Sequence, residues 1–267
     1  MVSFTYWLFS RTPLRMASGF GWLVASLWWW VLPIRKQLAI DNFSAVFPDV
    51  PPGPALRRMF AEVILGYFEL FREMRVPGSI RVDYVGHEKI EADIRKAQGT
   101  LLLGGHFGSW DLVSSMICRD RQFPVAVTVK TPKNPQVAGL IERIRSAFGM
   151  GLLPSRDCMP RIYEHVEKGG MVAFLLDMRF NRGIKVPFFG RSARTSPALP
   201  TVAAKSAAPV YTVWFMRNGI GHHTAAFAGP LVLNGELEHD LGRIMAFYEE
   251  RIRAVPHNWF WLHDRWR

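Results

Sequence analysis

The sequence predicts an α/β fold: a central mixed, mainly parallel sheet flanked by helices, with an N-terminal hydrophobic membrane-anchor helix before it. Three observations lead there. Between residues 80 and 176, short apolar runs of strand length alternate with amphipathic segments of helix length, the pattern of successive βαβ units. The stretch 16–34 holds nineteen residues without a charge, four of them tryptophans (Trp22, Trp28, Trp29 and Trp30). A chain of 267 residues that is 49% hydrophobic has ample material for a core.

Arg11, Arg15, Arg35 and Lys36 bracket the uncharged stretch. As a helix it would extend roughly 28 Å, enough to cross a hydrocarbon core. The first ten residues carry no Lys or Arg, and Leu32-Pro33-Ile34 offers no small-residue cleavage site, so an uncleaved anchor is expected rather than a signal peptide. Clustered tryptophans equally suit a helix lying in the interface, and a buried core helix is the third reading. The chain therefore divides at 1–38, the anchor or interfacial helix, and 39–267, a single α/β domain.

The proline-rich 51–54 segment punctuates the chain, and Leu56, Met59, Phe60, Val63, Ile64, Tyr67, Phe68 and Phe71 then recur at helical spacing as far as about Arg75. Past Pro77-Gly78 the spacing predicts strand 80–85, helix 88–97, strand 100–104, helix 109–118, strand 124–129, helix 137–148, strand 151–153, helix 159–167 and strand 171–176. A loop follows, then helix 197–207, strands 210–217 and 223–227, and helix 237–255.

A net charge of +11 calls for an anionic partner: nucleic acid, a phospholipid surface or a phosphorylated substrate. Ten tryptophans and nineteen phenylalanines favour the lipid surface, because amphipathic rings concentrate at headgroup level. Cys118 and Cys158 have no CxxC spacing and read as two reduced thiols of a cytoplasmic domain. His222-His223 has no third ligand at a recognisable spacing, so no metal site is expected.

The chemistry is expected at Leu101-Leu102-Leu103-Gly104-Gly105-His106-Phe107-Gly108-Ser109-Trp110-Asp111. In an α/β sheet the residues just beyond a strand's carboxyl end line the ligand crevice, and His106 falls there. If Ser109 caps the next helix, Asp111 lies in its first turn, from which the carboxylate can fold back toward the imidazole. A histidine held by a carboxylate through one ring nitrogen keeps the other free to take a proton. The alternative is a structural histidine at a helix start. No serine or cysteine is placed as a nucleophile, so the substrate must bring its own; GxSxG, GxxxxGK[ST], HExxH and dinucleotide fingerprints are all absent.

The segment Gly105-His106-Phe107-Gly108-Ser109-Trp110-Asp111 resembles the H-x4-D/E motif of the bacterial lipid A late acyltransferases, within the lysophospholipid acyltransferase superfamily. Asn42 with Phe47-Pro48 resembles that family's early Asn and Phe-Pro element. Val186-Pro187-Phe188-Phe189-Gly190 with Ala193 and Thr195 resembles its mid-chain VPFFG segment, and 259–265 its aromatic, His- and Arg-containing end. The likeness spans most of the chain. It implies acyl transfer from an acyl thioester, acyl carrier protein or coenzyme A, to a hydroxyl of a lipid A precursor, with no further cofactor. By the same resemblance His106 is the general base and Asp111 orients it, while backbone N–H groups opening the 109–118 helix, or an arginine, receive the oxyanion. The implied setting is the cytoplasmic face of a bacterial inner membrane, with a monomer expected and no nucleic-acid partner.

Arg179, Arg182, Lys185, Arg191 and Arg194 lie in a segment without an acidic residue and suit phosphate groups of a substrate, or a solvated basic face over anionic lipid. Just before them this chain reads Asp177-Met178-Arg179 where the family commonly reads Asp-Gln-Asp. Lys130, Asn134 and Arg145 resemble basic and amide positions of relatives, and Arg145 is expected either as a substrate contact or as a solvated helix residue. The aromatics of 259–263 read as core or membrane-rim packing. Two other functions stay open: acylation of another glycolipid or a lysophospholipid, and a non-catalytic basic protein that binds anionic lipid or nucleic acid.

Overall fold

The computed structural model describes residues 2–32, 34–129, 134–154 and 158–266. Seven strands form the main sheet: β1 (Arg81–Val85), β2 (Thr100–Gly104), β3 (Val125–Val129), β4 (Gly151–Pro154), β5 (Met171–Leu175), β8 (Val210–Gly219) and β9 (His222–Ala228). Their order is β1-β9-β8-β2-β5-β3-β4. Strands β8, β2, β5, β3 and β4 run parallel, whereas β9 is antiparallel to β8 and carries β1 parallel to itself. The expected α/β fold with a mostly parallel sheet is therefore what the chain forms.

Strand β2 is buried along its whole length. Helices cover both of its faces, which is why its sequence is a continuous apolar run rather than an alternation. Leu101 and Leu103 join the core beneath α9 (Ala198–Ser206) and α10 (Leu237–Ala254), and Leu102 joins the opposite layer beneath α5 (Glu88–Arg95) and α6 (Trp110–Asp120). Helices α7 (Pro135–Ala147) and α8 (Met159–Glu167) complete the crossovers.

The N-terminal region departs from a single anchor. It forms α1 (Val2–Arg11), α2 (Leu14–Trp30) and α3 (Lys36–Val46), of which the first and third were not expected. Helix α2 stops at Trp30, short of the expected Ile34, and α3 runs through residue 38. Among the described residues no helix is long and apolar enough to cross a membrane.

Both α1 and α2 pack on α4 (Pro52–Arg75), the helix anticipated from the 56–71 periodicity. Ala17, Gly21 and Ala25, four apart on α2, are buried and let the helix backbones approach closely. A β-carbon on Gly21 would lie 2.8 Å from the Ala61 carbonyl oxygen. Trp28 is buried with them, stacked on Phe60 of α4, while Trp22, Leu23, Leu27 and Trp30 are exposed.

A second departure lies in the basic segment, expected as a loop. It folds into an antiparallel hairpin of β6 (Ile184–Phe188) and β7 (Arg191–Thr195). Phe189 and Gly190 at its tip both have positive φ, as a two-residue primed turn needs. Phe188 is buried against the Trp259 and Trp266 rings, and that packing is what orders the hairpin.

The close α2–α4 approach yields a direct expectation. Gly21→Val should cost about 1–3 kcal/mol by overpacking, since a rigid partner backbone blocks the added atoms. Thermal unfolding should show the drop in Tm.

Candidate active site

Parallel register sets the site. Gly104 of β2 pairs with Leu175 of β5, so the residues two positions beyond each strand, His106 and Asp177, meet in the crevice at the carboxyl edge. His106 Nδ1 lies 2.9 Å from Asp177 Oδ1, and the His106 backbone N–H donates to Oδ2 at 2.8 Å. The Trp259 indole N–H donates to the same oxygen at 2.9 Å. Asp177 is fully buried, and its carboxylate thus holds both the main chain and the ring of His106. With Nδ1 so engaged, Nε2 is left for the substrate.

This corrects the expected orienter. Asp111 lies in the first turn of α6, as anticipated, but its Oδ2 faces the Tyr67 hydroxyl of α4 at 3.5 Å. Its influence on His106 is electrostatic. Asp177 could not be found by local spacing, because it lies 71 residues from His106 and reaches it through strand order. The available signal was the rule that located His106: Asp177, too, follows directly on an apolar strand run. Tyr67 and Trp259 were likewise unassigned.

The charges around the pair oppose burial. Burial alone would lower the His106 pKa, but the Asp177 charge and hydrogen bond, with Asp111 adding to them, raise it above its ordinary 6.5. For Asp177, burial pushes upward, while His106 and the Trp259 donor bring it below 3.8. Asp111 is raised, chiefly by burial, with Arg145 and His106 opposing. By linkage, the His106 contribution to stability is complete below 6.5 and vanishes as pH rises through the higher folded value. The Asp177 contribution is complete above 3.8 and vanishes as pH falls through its lower folded value.

The C-terminal segment closes the back of this turn. Phe107 bridges Trp259, the Gly108 N–H donates to the Asn258 carbonyl at 2.7 Å, and the Phe260 N–H donates to that of His106 at 3.2 Å. Asn42 donates to the carbonyls of Trp261 and His263. Arg265, fully buried, donates to the Arg194 carbonyl and to Thr195 Oγ1, tying β7 to the same segment. Trp259 and Trp261 are therefore core residues, the first of the two readings for this aromatic run.

Beside the site, between α6 and the sheet, lies a small apolar cavity of about 50 Å³. Gly104, Trp110, Ile117, Val127, Ala173 and Val213 are among its lining residues. The Trp110 ring stands 5.2 Å from that of His106, joining cavity and imidazole.

Among the anticipated basic residues, Arg145 reaches the site. It is half-buried in the last turn of α7, its charge opposes the rise of the Asp111 pKa, and one of its guanidinium nitrogens is buried without a partner among the described residues. Arg179 and Arg194 are half-buried, whereas Arg182, Lys185 and Arg191 are exposed on the hairpin and the turn before it. Lys185 pairs in register with Arg194, an unfavourable juxtaposition of like charges. Lys130 lies outside the described residues.

An α/β sheet presenting a carboxylate-held histidine at a strand end, beside a small apolar cavity, has the parts of a candidate active site. The family model for bacterial lipid A biosynthesis acyltransferase matches residues 1–267, and the chain belongs to that family as an acyltransferase. A comparison with curated proteins gives no match.

Replacing the orienting carboxylate separates its charge from its shape. Asp177→Asn should lower the His106 pKa, so the rise of kcat/KM with pH should shift to lower pH, while kcat falls by roughly 10²–10⁴-fold. A pH–rate profile beside the wild type, whose midpoint is expected above 6.5, checks both.

Proposed function

We propose that this acyltransferase moves a fatty acyl chain from an acyl thioester, carried by acyl carrier protein or coenzyme A, to a hydroxyl of a lipid A precursor. The observation that carries the reading is the His106–Asp177 pair beside the apolar cavity, in a chain of the lipid A acyltransferase family. His106 Nε2 takes the proton of the acceptor hydroxyl as its oxygen attacks the thioester carbonyl carbon. Asp177 holds the ring and stabilises the imidazolium, and Asp111 adds negative charge farther off. The tetrahedral oxyanion is received by N–H groups opening α6, where the helix dipole favours negative charge. The carbon–sulfur bond then breaks, and the imidazolium returns its proton to the departing thiolate.

The acyl chain of the donor enters at the small cavity between α6 and the sheet, whose walls are almost solely apolar and must part to admit it. Arg145 contacts substrate near Asp111, and Arg179, Arg182, Lys185, Arg191 and Arg194 take phosphate groups of the acceptor or of the bilayer surface. The enzyme sits at the cytoplasmic face of the inner membrane, with α2 in the interface rather than across it. In favour of this stands the inverted arrangement of α2: its small residues face the protein, and Trp22, Leu23, Leu27 and Trp30 face outward.

The test is acyl transfer to lipid A precursors in membranes, with acyl carrier protein and coenzyme A thioesters as alternative donors. Transfer should be detected by mass spectrometry and be lost in folded His106→Ala; undiminished turnover by that variant rules the mechanism out. Ala173→Phe should fill the cavity and reduce kcat/KM for long-chain donors by roughly tenfold relative to short ones.

A further inference from the structure

A buried ion pair unused by this mechanism touches the turn that carries His106 from the α4 side. Glu69 of α4 is fully buried, and Arg217, near the end of β8, donates to both of its oxygens, at 2.5 and 2.8 Å. The Gly221 N–H and His223 Nε2 complete the carboxylate's partners, at 2.8 and 3.0 Å. The same Arg217 nitrogen that bonds Glu69 Oε2 donates at 2.7 Å to Ser109 Oγ. Ser109 occupies the N-cap position of α6, directly between His106 and Asp111.

A serine in that position ordinarily turns its hydroxyl onto the N–H of the second or third helical residue, from an extended backbone. Ser109 does neither. It makes no side-chain cap hydrogen bond, and its φ of −90° and ψ of 56° lie outside the extended region. From the other side α4 presses on it: a β-carbon on Gly66 would come within 2.7 Å of Ser109 Oγ. The serine side chain is thus held between Gly66 and Arg217, away from the amides of its own helix.

We infer that Arg217, anchored by Glu69, is a positioning residue that draws Ser109 off its capping role and so keeps the first-turn N–H groups of α6 open for the reaction. This rests on the proposed use of those N–H groups as oxyanion donors. It explains a buried charge pair in which one partner spends a hydrogen bond on a helix-start serine. Without Arg217, Ser109 would relax onto the Asp111 or Leu112 N–H and occupy a donor that the transition state needs.

Removing both charges together, as Glu69→Gln/Arg217→Met, avoids leaving either one buried alone. In that double variant kcat should fall by roughly 100-fold, the cost of one lost oxyanion donor, with KM within about threefold. Hydrogen–deuterium exchange at one of the two amides, Asp111 or Leu112, should slow, since it becomes capped. Adding Ser109→Ala removes the capping hydroxyl and should restore both kcat and fast exchange. If the triple variant is as slow as the double, or if exchange in the double is not slowed, the inference is overturned. The exchange measurement needs no turnover: absence of acyl transfer in the wild type would defeat the proposed function, while the exchange would still judge the role of Arg217.

Discussion

The arrangement depends above all on the parallel pairing of β2 with β5. Their register places His106 and Asp177 each two residues past paired positions, and a carboxylate with no solvent exposure then holds both the ring and the backbone N–H of the histidine. A buried carboxylate is costly unless its oxygens are occupied, and here three donors occupy them. The Trp259 indole is the third, so the C-terminal segment must be in place before the pair is complete.

That requirement explains why distant parts of the chain converge on one short segment. Asn42 grips the backbone at Trp261 and His263, Arg265 reaches β7, and Phe188 in the hairpin packs on Trp259. These positions belong to the elements through which the sequence resembles the lipid A acyltransferases. In the fold they form a single brace behind the catalytic turn. Helix α4 supplies the front counterpart, facing Asp111 with Tyr67 and linking through Glu69 and Arg217 to Ser109.

The same helix also carries the N-terminal pair α1 and α2, so the surface proposed to meet lipid and the helix bearing Tyr67 and Glu69 are one packed unit. Small residues every fourth position on α2 bring the backbones together, with Trp28 buried beside them and Trp22, Leu23, Leu27 and Trp30 turned outward. An uncharged stretch of this kind has the composition of a spanning helix and the packing of a surface one. Composition sums over all faces of a helix, and only the partner helix reveals which face is covered.

The sequence by itself determined the α/β class, the order of strands and helices over 80–176 and 197–255, and His106 as a residue beyond a strand end, because periodicity and strand-end position are local properties. It also determined Asp111 as a first-turn residue of α6. Only the tertiary structure decided that Asp177 holds the imidazole, that the basic segment is a hairpin, and that α2 ends at Trp30 and packs on α4. Each of these depends on which elements become neighbours. Strand order sets β5 beside β2, the aromatic brace orders β6 and β7, and the close face of α2 meets α4, none of which leaves a mark in the spacing of residues along the chain.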